Sequence, residues 1–103
     1  RVYRYEGALG EVDMIAEYDD HVVVAEIYLG FRCGRDKVDQ LVRSIGIAER
    51  LGYRTAHALL ISYFEYPAET LEYAREISKQ LPILLLTEKQ LRRISKYSLT
   101  RLP

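Results

Sequence analysis

Two acidic residues on neighbouring predicted strands are the side chains best suited to chemistry in this chain of 103 residues. Asp13 and Glu26 stand in largely apolar stretches that a turn at Asp19-Asp20 joins. If the turn has two loop residues, Asp13 faces Glu26 across the hairpin, with Cβ atoms roughly 4.5–5.5 Å apart. Like charges so placed destabilise a strand pair unless a cation lies between them. Mg²⁺ or Mn²⁺, held by one or two carboxylates plus water and phosphate, fits this arrangement, and an edge hairpin with both acids solvated is the alternative.

The predicted hairpin consists of the strands Glu11–Glu17 and Val22–Leu29. Because side chains alternate along a strand, the face with the two acids also carries Glu11 and Tyr28. The opposite face carries the apolar residues Val12, Met14, Ala25 and Ile27. Glu11 is therefore a candidate for holding a second cation or a metal-bound water, and a solvated acid at a strand end is the alternative.

The remaining elements must hold this hairpin in place. The apolar periodicity predicts a first strand, a helix capped by Asp36, a buried strand, a second helix, a short strand, and a helix that opens with a Thr87/Gln90 capping box. Their predicted ranges are Arg1–Glu6, 37–51, Thr55–Ser62, Ala68–Gln80, Ile83–Leu86 and 88–97. The order β-β-β-α-β-α-β-α predicts an α/β (α+β) fold, in which an antiparallel meander continues into a βαβ unit of a mixed sheet flanked by helices.

The composition fits a single domain over residues 1–103. The chain has 15 basic and 15 acidic residues, so it lacks the overall positive charge typical of many nucleic-acid-binding proteins. Its one cysteine, Cys33, excludes an internal disulfide, and its apolar runs are too short to span a bilayer, so we expect a cytoplasmic protein without a membrane partner. The absence of Asn and the abundance of charge favour a thermophilic source.

The motif GEVDMIA followed by VVVAEIY, a helix and an apolar strand resembles the PD-(D/E)XK nuclease superfamily, and most closely its small archaeal domains. The resemblance runs from Gly10 to about Thr87 and implies a restriction-endonuclease-like core. It also implies that Asp13 and Glu26 bind Mg²⁺ and take part in cleaving DNA. The helix that commonly precedes the first strand in that superfamily is absent from this sequence, so either the chain is truncated or this member lacks the helix.

The superfamily's motif lysine, which positions or activates the attacking water, is replaced by Tyr28. A tyrosine hydroxyl can orient water but brings no positive charge near neutral pH. Arg32, Arg35 and Lys37 follow the strand and are the candidates for contacting nucleic acid and replacing that charge, Lys37 being the better chemical substitute. Three functions stay open: a Mg²⁺-dependent DNA endonuclease with a degenerate site, a catalytically inactive module for DNA binding or protein assembly, and a metal-independent structural domain.

Two surface features complete the sequence-based hypotheses. Arg92, Arg93, Lys96 and Arg101 form the most basic segment, which either contacts phosphates or is a solvated helix face. Aromatic residues are enriched in interfaces, so the tyrosines that flank strands and turns favour a homodimer as a hypothesis. These tyrosines are Tyr3, Tyr5, Tyr63 and Tyr66.

Overall fold

The computed structural model of the protein describes residues 1–100, and the side chains of residues 1–94. Five strands and three helices follow one another in the predicted order. The strands are β1 (Val2–Gly7), β2 (Gly10–Tyr18), β3 (His21–Tyr28), β4 (Arg54–Ser62) and β5 (Ile83–Thr87). The helices are α1 (Arg35–Arg50), α2 (Ala68–Ser78) and α3 (Glu88–Thr100). The side chains of Lys96 and Arg101 lie outside the described residues.

The strands form one mixed sheet in the order β1-β2-β3-β4-β5. The pairs β1-β2 and β2-β3 are antiparallel, whereas β3-β4 and β4-β5 are parallel. Helices α1 and α2 make the two parallel crossovers and contact each other, so they cover the same face of the sheet. The predicted meander followed by a βαβ unit is therefore confirmed, and the fold is a compact α+β arrangement.

The central hairpin has the predicted two-residue turn. Tyr18 pairs with His21, and Ile15 pairs with Val24. Asp19 adopts a φ of 53°, a left-handed conformation that Asp tolerates better than most residues. The turn chemistry and the alternating pattern thus specify the same register.

Strand β2 contains a bulge that the sequence pattern did not predict. Tyr3 pairs with Ile15 but Tyr5 pairs with Val12, so β2 has one extra residue between these pairs. As a result, Val12 and Ile15 are both fully buried in the same core. The expectation that Val12 shares a face with Met14, and Glu11 with Asp13, is wrong, because the bulge shifts the alternation of side chains on its N-terminal side.

Helix α1 packs an apolar stripe on the sheet and is the main wall of the core. Val38, Leu41 and Ala48 are fully buried against strand residues such as Val24 and Leu60. The predicted cap, Asp36, is wrong, because the helix begins earlier. Gly34 is the extended residue at its start, and no described side chain caps the helix there. It ends as predicted before Gly52, whose φ of 97° favours glycine.

Helix α3 begins with the predicted capping box. The Gln90 backbone N–H donates to Thr87 Oγ1 at 3.1 Å, and the Thr87 N–H donates to Gln90 Oε1 at 2.9 Å. These two bonds satisfy donors that have no partner within the helix. Among the described helices, none combines the length and the apolar character needed to cross a membrane.

Candidate active site

Asp13 and Glu26 lie side by side at the end of the β2-β3 ladder. The regular pairing of these strands ends at Met14 and Ala25, one residue before the two acids. At that point Asp13 Oδ2 accepts a hydrogen bond from the Ile27 backbone N–H at 3.0 Å. The bulge in β2 thus aims the Asp13 carboxylate across the strand gap towards β3.

Glu26 is almost completely buried, with 3% of its surface exposed. Its Oε1 contacts Ser44 Oγ on α1, and its Oε2 has no hydrogen-bond partner among the described residues. Burial, and to a smaller extent the neighbouring Asp13 carboxyl, raises the pKa of Glu26 from 4.5 to about 7, while the Ser44 hydroxyl opposes the shift. The two carboxyl groups therefore form a close pair that does not readily carry two negative charges.

Ser44 links this pair to α1 and was not identified from the sequence. Its hydroxyl lies within hydrogen-bonding distance of both Glu26 Oε1 and the Gln40 carbonyl oxygen, the latter at 3.1 Å. The Ser44 hydroxyl donates to Glu26 Oε1, and because it has one hydrogen, the Gln40 carbonyl oxygen is a second acceptor for the same donor. The sequence feature that could have revealed Ser44 is its position as a polar residue next to Ile45, in the apolar stripe of α1.

Tyr28 lies two residues after Glu26 on the same face of β3, and its ring contacts Lys37 of α1. Lys37 Nζ is 5.1 Å from the centre of the ring and 3.8 Å from Asp36 Oδ2. A Cβ atom at Gly30 would overlap the Tyr28 ring, so the glycine allows the ring to fold back over the loop. The Tyr28 ring and the Lys37 ammonium group are therefore in contact beside the end of β3.

Glu11 is directed away from the acidic pair. It is exposed, lies opposite Glu6 in the β1-β2 ladder, and pairs with Arg4 at 3.4 Å. The β2 bulge accounts for this arrangement, because Val12 takes the inward position instead. Glu11 does line an open depression that Ser44 also lines, and this shared depression connects Glu11 to the candidate site.

Arg32 and Arg35 contact α2, away from the acids. Arg32 pairs with Glu69 at 2.9 Å, and the Arg35 guanidinium stacks on the Tyr73 ring at 4.4 Å from its centre. Both arginines therefore help to fix the loop after β3 against α2. Of the three predicted nucleic-acid contacts, Lys37 alone touches a residue of the candidate site in the described part of the chain.

An open depression of about 860 Å³ adjoins the acidic pair. Its walls are the β1-β2 turn and one side of α1, and Ser44 lines it from the position where it contacts Glu26. Gln40, Arg43 and Arg50 also line it, at helical spacings that place them on one side of α1. Glu11 and Glu49 line it as well, so the depression presents both cationic and acidic groups, and Ser44 is its contact with the acidic pair.

Cys33 is a buried thiol near the site. It is 1% exposed, and burial raises its pKa to about 11. Its backbone carbonyl accepts a hydrogen bond from the buried Thr70 hydroxyl at 2.8 Å. A thiol that stays protonated near neutral pH is a poor nucleophile, so Cys33 is part of the packing.

The side chains of residues 1–94 contain no cluster of three or more His, Cys, Asp or Glu groups suited to a metal. The chain matches no protein-family model, no curated protein and no solved structure.

Proposed function

We propose that the protein is a restriction-endonuclease-like domain that hydrolyses phosphodiester bonds of DNA with the help of Mg²⁺. The observation that carries this proposal is the Asp13–Glu26 pair, in which Glu26 Oε2 is buried and has no hydrogen-bond partner among the described residues. Buried polar atoms in folded proteins nearly always have partners, and the exceptions are enriched in functional sites. The meander and βαβ order of the fold supports the same assignment.

The pair fits a Mg²⁺ ion by its donor chemistry. Mg²⁺ is usually held by one or two carboxylates, with water and phosphate completing its shell. Asp13 and Glu26 would be those ligands, and the unpartnered Glu26 Oε2 is an available donor atom. The ion would act as a Lewis acid that stabilises charge developing on the phosphate.

Lys37 and Tyr28 divide the work of the missing motif lysine. Lys37 supplies a positive charge over the Tyr28 ring, where it can stabilise a phosphate oxygen. The Tyr28 hydroxyl can orient a water molecule but is a weak base near neutral pH. In this arrangement the site stabilises charge on the phosphate better than it removes a proton from water, so we expect slow cleavage.

The depression beside α1 is the proposed path of the DNA backbone. Arg43 and Gln40 line it next to Ser44, and hence next to Glu26. Arginine and glutamine side chains commonly hold phosphate oxygens in register without reading sequence. A strand lying there would have a phosphate close to the acidic pair.

The test is cleavage of DNA with Mg²⁺ or Mn²⁺ by the full chain and two variants. Asp13→Ala should abolish cleavage, because it removes one of two ligands. Asp20→Ala, which removes an exposed acid at the turn of the same hairpin, is the matched control and should cleave as well as the parent. Cleavage by Asp13→Ala at the parental rate would exclude the proposed site.

A catalytically inactive DNA-binding or assembly module is the second candidate. Tyr28 in place of the lysine favours it, and so does the raised pKa of Glu26, because a protonated Glu26 can lie beside Asp13 without any metal. Tyr28→Lys distinguishes the two. A gain of Mg²⁺-dependent cleavage in this variant indicates an intact but weakened site, whereas parent and variant that are both inert favour the module.

A further inference from the structure

Three aromatic rings lie just beyond the ends of β3 and β4, and the middle one, Phe64, contacts the other two. Phe31, Tyr63 and Phe64 form this aromatic cluster, with ring centres 5.2 Å apart for Phe31–Phe64 and 5.1 Å apart for Tyr63–Phe64. Phe31 is 81% exposed and Tyr63 is 58% exposed. Exposed rings of this size in contact with one another are typical of a binding surface.

The backbone under the cluster is fixed to the end of the sheet. The Tyr63 N–H donates to the Tyr28 carbonyl oxygen at 3.1 Å, and the buried Ser62 hydroxyl donates to the Phe64 carbonyl oxygen at 2.8 Å. These bonds hold the rings in place before any partner arrives, which limits the entropy lost on binding. They also connect the cluster to Tyr28 of the candidate active site.

Positive charge lies next to the rings. Tyr63 lines a depression of about 480 Å³ together with Glu88, Lys89, Arg92 and Arg93. Glu88 pairs with Arg92, and the other two side chains are exposed on the first turns of α3. Aromatic rings therefore stand beside cations on one continuous surface.

We propose that the aromatic cluster with Lys89 and Arg93 binds an unpaired strand of nucleic acid. Bases of the strand stack on Phe31 and Tyr63, and its phosphates contact the two cations. Rings beside cations form the usual site for single strands, whereas the bases of a duplex are already stacked on one another. The inference rests on the proposed nuclease function and adds that its substrate has a single-stranded part.

The test measures affinity by fluorescence anisotropy of a labelled oligothymidylate of about 12 nucleotides. Measurement in EDTA prevents cleavage, so binding is judged separately from catalysis. Phe31→Ser should weaken binding by about 5- to 150-fold, the loss expected for one stacked base. Leu29→Ser, an equally exposed apolar residue of the same loop that lies outside the cluster, is the matched control and should bind like the parent.

Two further probes separate stacking from charge. An abasic oligonucleotide of the same length should bind the parent more weakly than oligothymidylate binds Phe31→Ser, because it loses stacking on Tyr63 as well as on Phe31. Lys89→Ala and Arg93→Ala should each reduce the slope of log affinity against log salt by about 0.7. If Phe31→Ser does not fold, Phe31→Leu provides the same comparison, since it retains apolar area but has no ring.

Equal binding by Phe31→Ser and Leu29→Ser, or equal binding of abasic and normal strands, would overturn the proposal. Light scattering could instead show a dimer that Phe31→Ser dissociates, while the affinity for the oligonucleotide stays the same. That result would overturn the proposal and indicate a contact between copies of the chain. Oligothymidylate binding that depends on Phe31, in a protein that never cleaves DNA, would support this site and refute only the proposed catalysis.

Discussion

Replacing Glu26 by glutamine should stabilise the folded protein at neutral and alkaline pH and should also abolish binding of a divalent cation. Glutamine has nearly the same shape and keeps an oxygen that accepts from Ser44. Its amide nitrogen can donate to Asp13, so the unpartnered atom gains a partner. The substitution removes the buried negative charge. That charge disfavours folding, and a metal ion needs it for binding.

The structure sets the size and the sign of this effect. The pKa of Glu26 rises from 4.5 to about 7 on folding, and each pKa unit corresponds to about 1.4 kcal/mol, so ionised Glu26 lowers the free energy of unfolding by about 3 kcal/mol. Below pH 4.5 the carboxyl is protonated in both states and nothing is lost. Between pH 4.5 and 7 the unfolded chain releases the proton first, so the parent loses stability as the pH rises.

Urea unfolding in EDTA from pH 4.5 to 8.5 measures this prediction. The advantage of Glu26→Gln should be close to zero at the lowest pH and should reach about 3 kcal/mol above pH 7. Glu11→Gln, an exposed control on β2, should show little change with pH. A Glu26→Gln effect that is constant over the whole range, or a variant less stable than the parent at pH 8, would refute the reasoning.

Three further substitutions test other parts of the structure. Lys37→Met should lower Mg²⁺-dependent cleavage by about 10²–10³-fold while leaving the fold intact by circular dichroism, and an unchanged rate would remove Lys37 from the site. Gly30→Ala should displace the Tyr28 ring and end its contact with Lys37. NMR would then show that the lysine ε-protons lose the upfield shift caused by the ring current. A retained shift would contradict that packing. Thr55→Val should raise the free energy of unfolding by about 1 kcal/mol in urea, because the buried Thr55 hydroxyl has no hydrogen-bond partner among the described residues. A less stable variant would contradict this and indicate that the hydroxyl does have a hydrogen-bond partner.

The fold could be predicted because its signals are local. The Asp19-Asp20 turn, the apolar stripe of α1 and the capping box before α3 each depend on residues close together in the chain. The two-residue turn then determined which residues face each other as far as Met14. Beyond that residue the pattern failed, because the core selected Val12 and the strand accommodated it with a bulge.

The candidate site could be predicted only in part, because its remaining contacts join distant segments. Nothing near Glu26 in the sequence indicates that Ser44 contacts it from a helix 18 residues later. Similarly, Arg32 seemed well placed for nucleic acid, but its partner Glu69 on α2 comes from a segment 37 residues away. Such pairings depend on how helices pack on the sheet, which strand and helix patterns do not specify.

The arrangement of Tyr28 and Lys37 bears on whether catalysis or mere binding explains the site. An ammonium group over an aromatic ring is attracted by about 0.5–1 kcal/mol at exposed sites, so the Tyr28 ring helps to hold Lys37 in place. A module that only bound DNA would gain nothing from keeping Glu26 buried beside Asp13, where its charge weakens the fold near neutral pH. A domain that uses the pair to hold a cation recovers that loss when the cation binds, because ligand binding to the folded state alone adds to its stability. The proposed nuclease site would therefore explain both the buried acids and the position of Lys37 beside Tyr28.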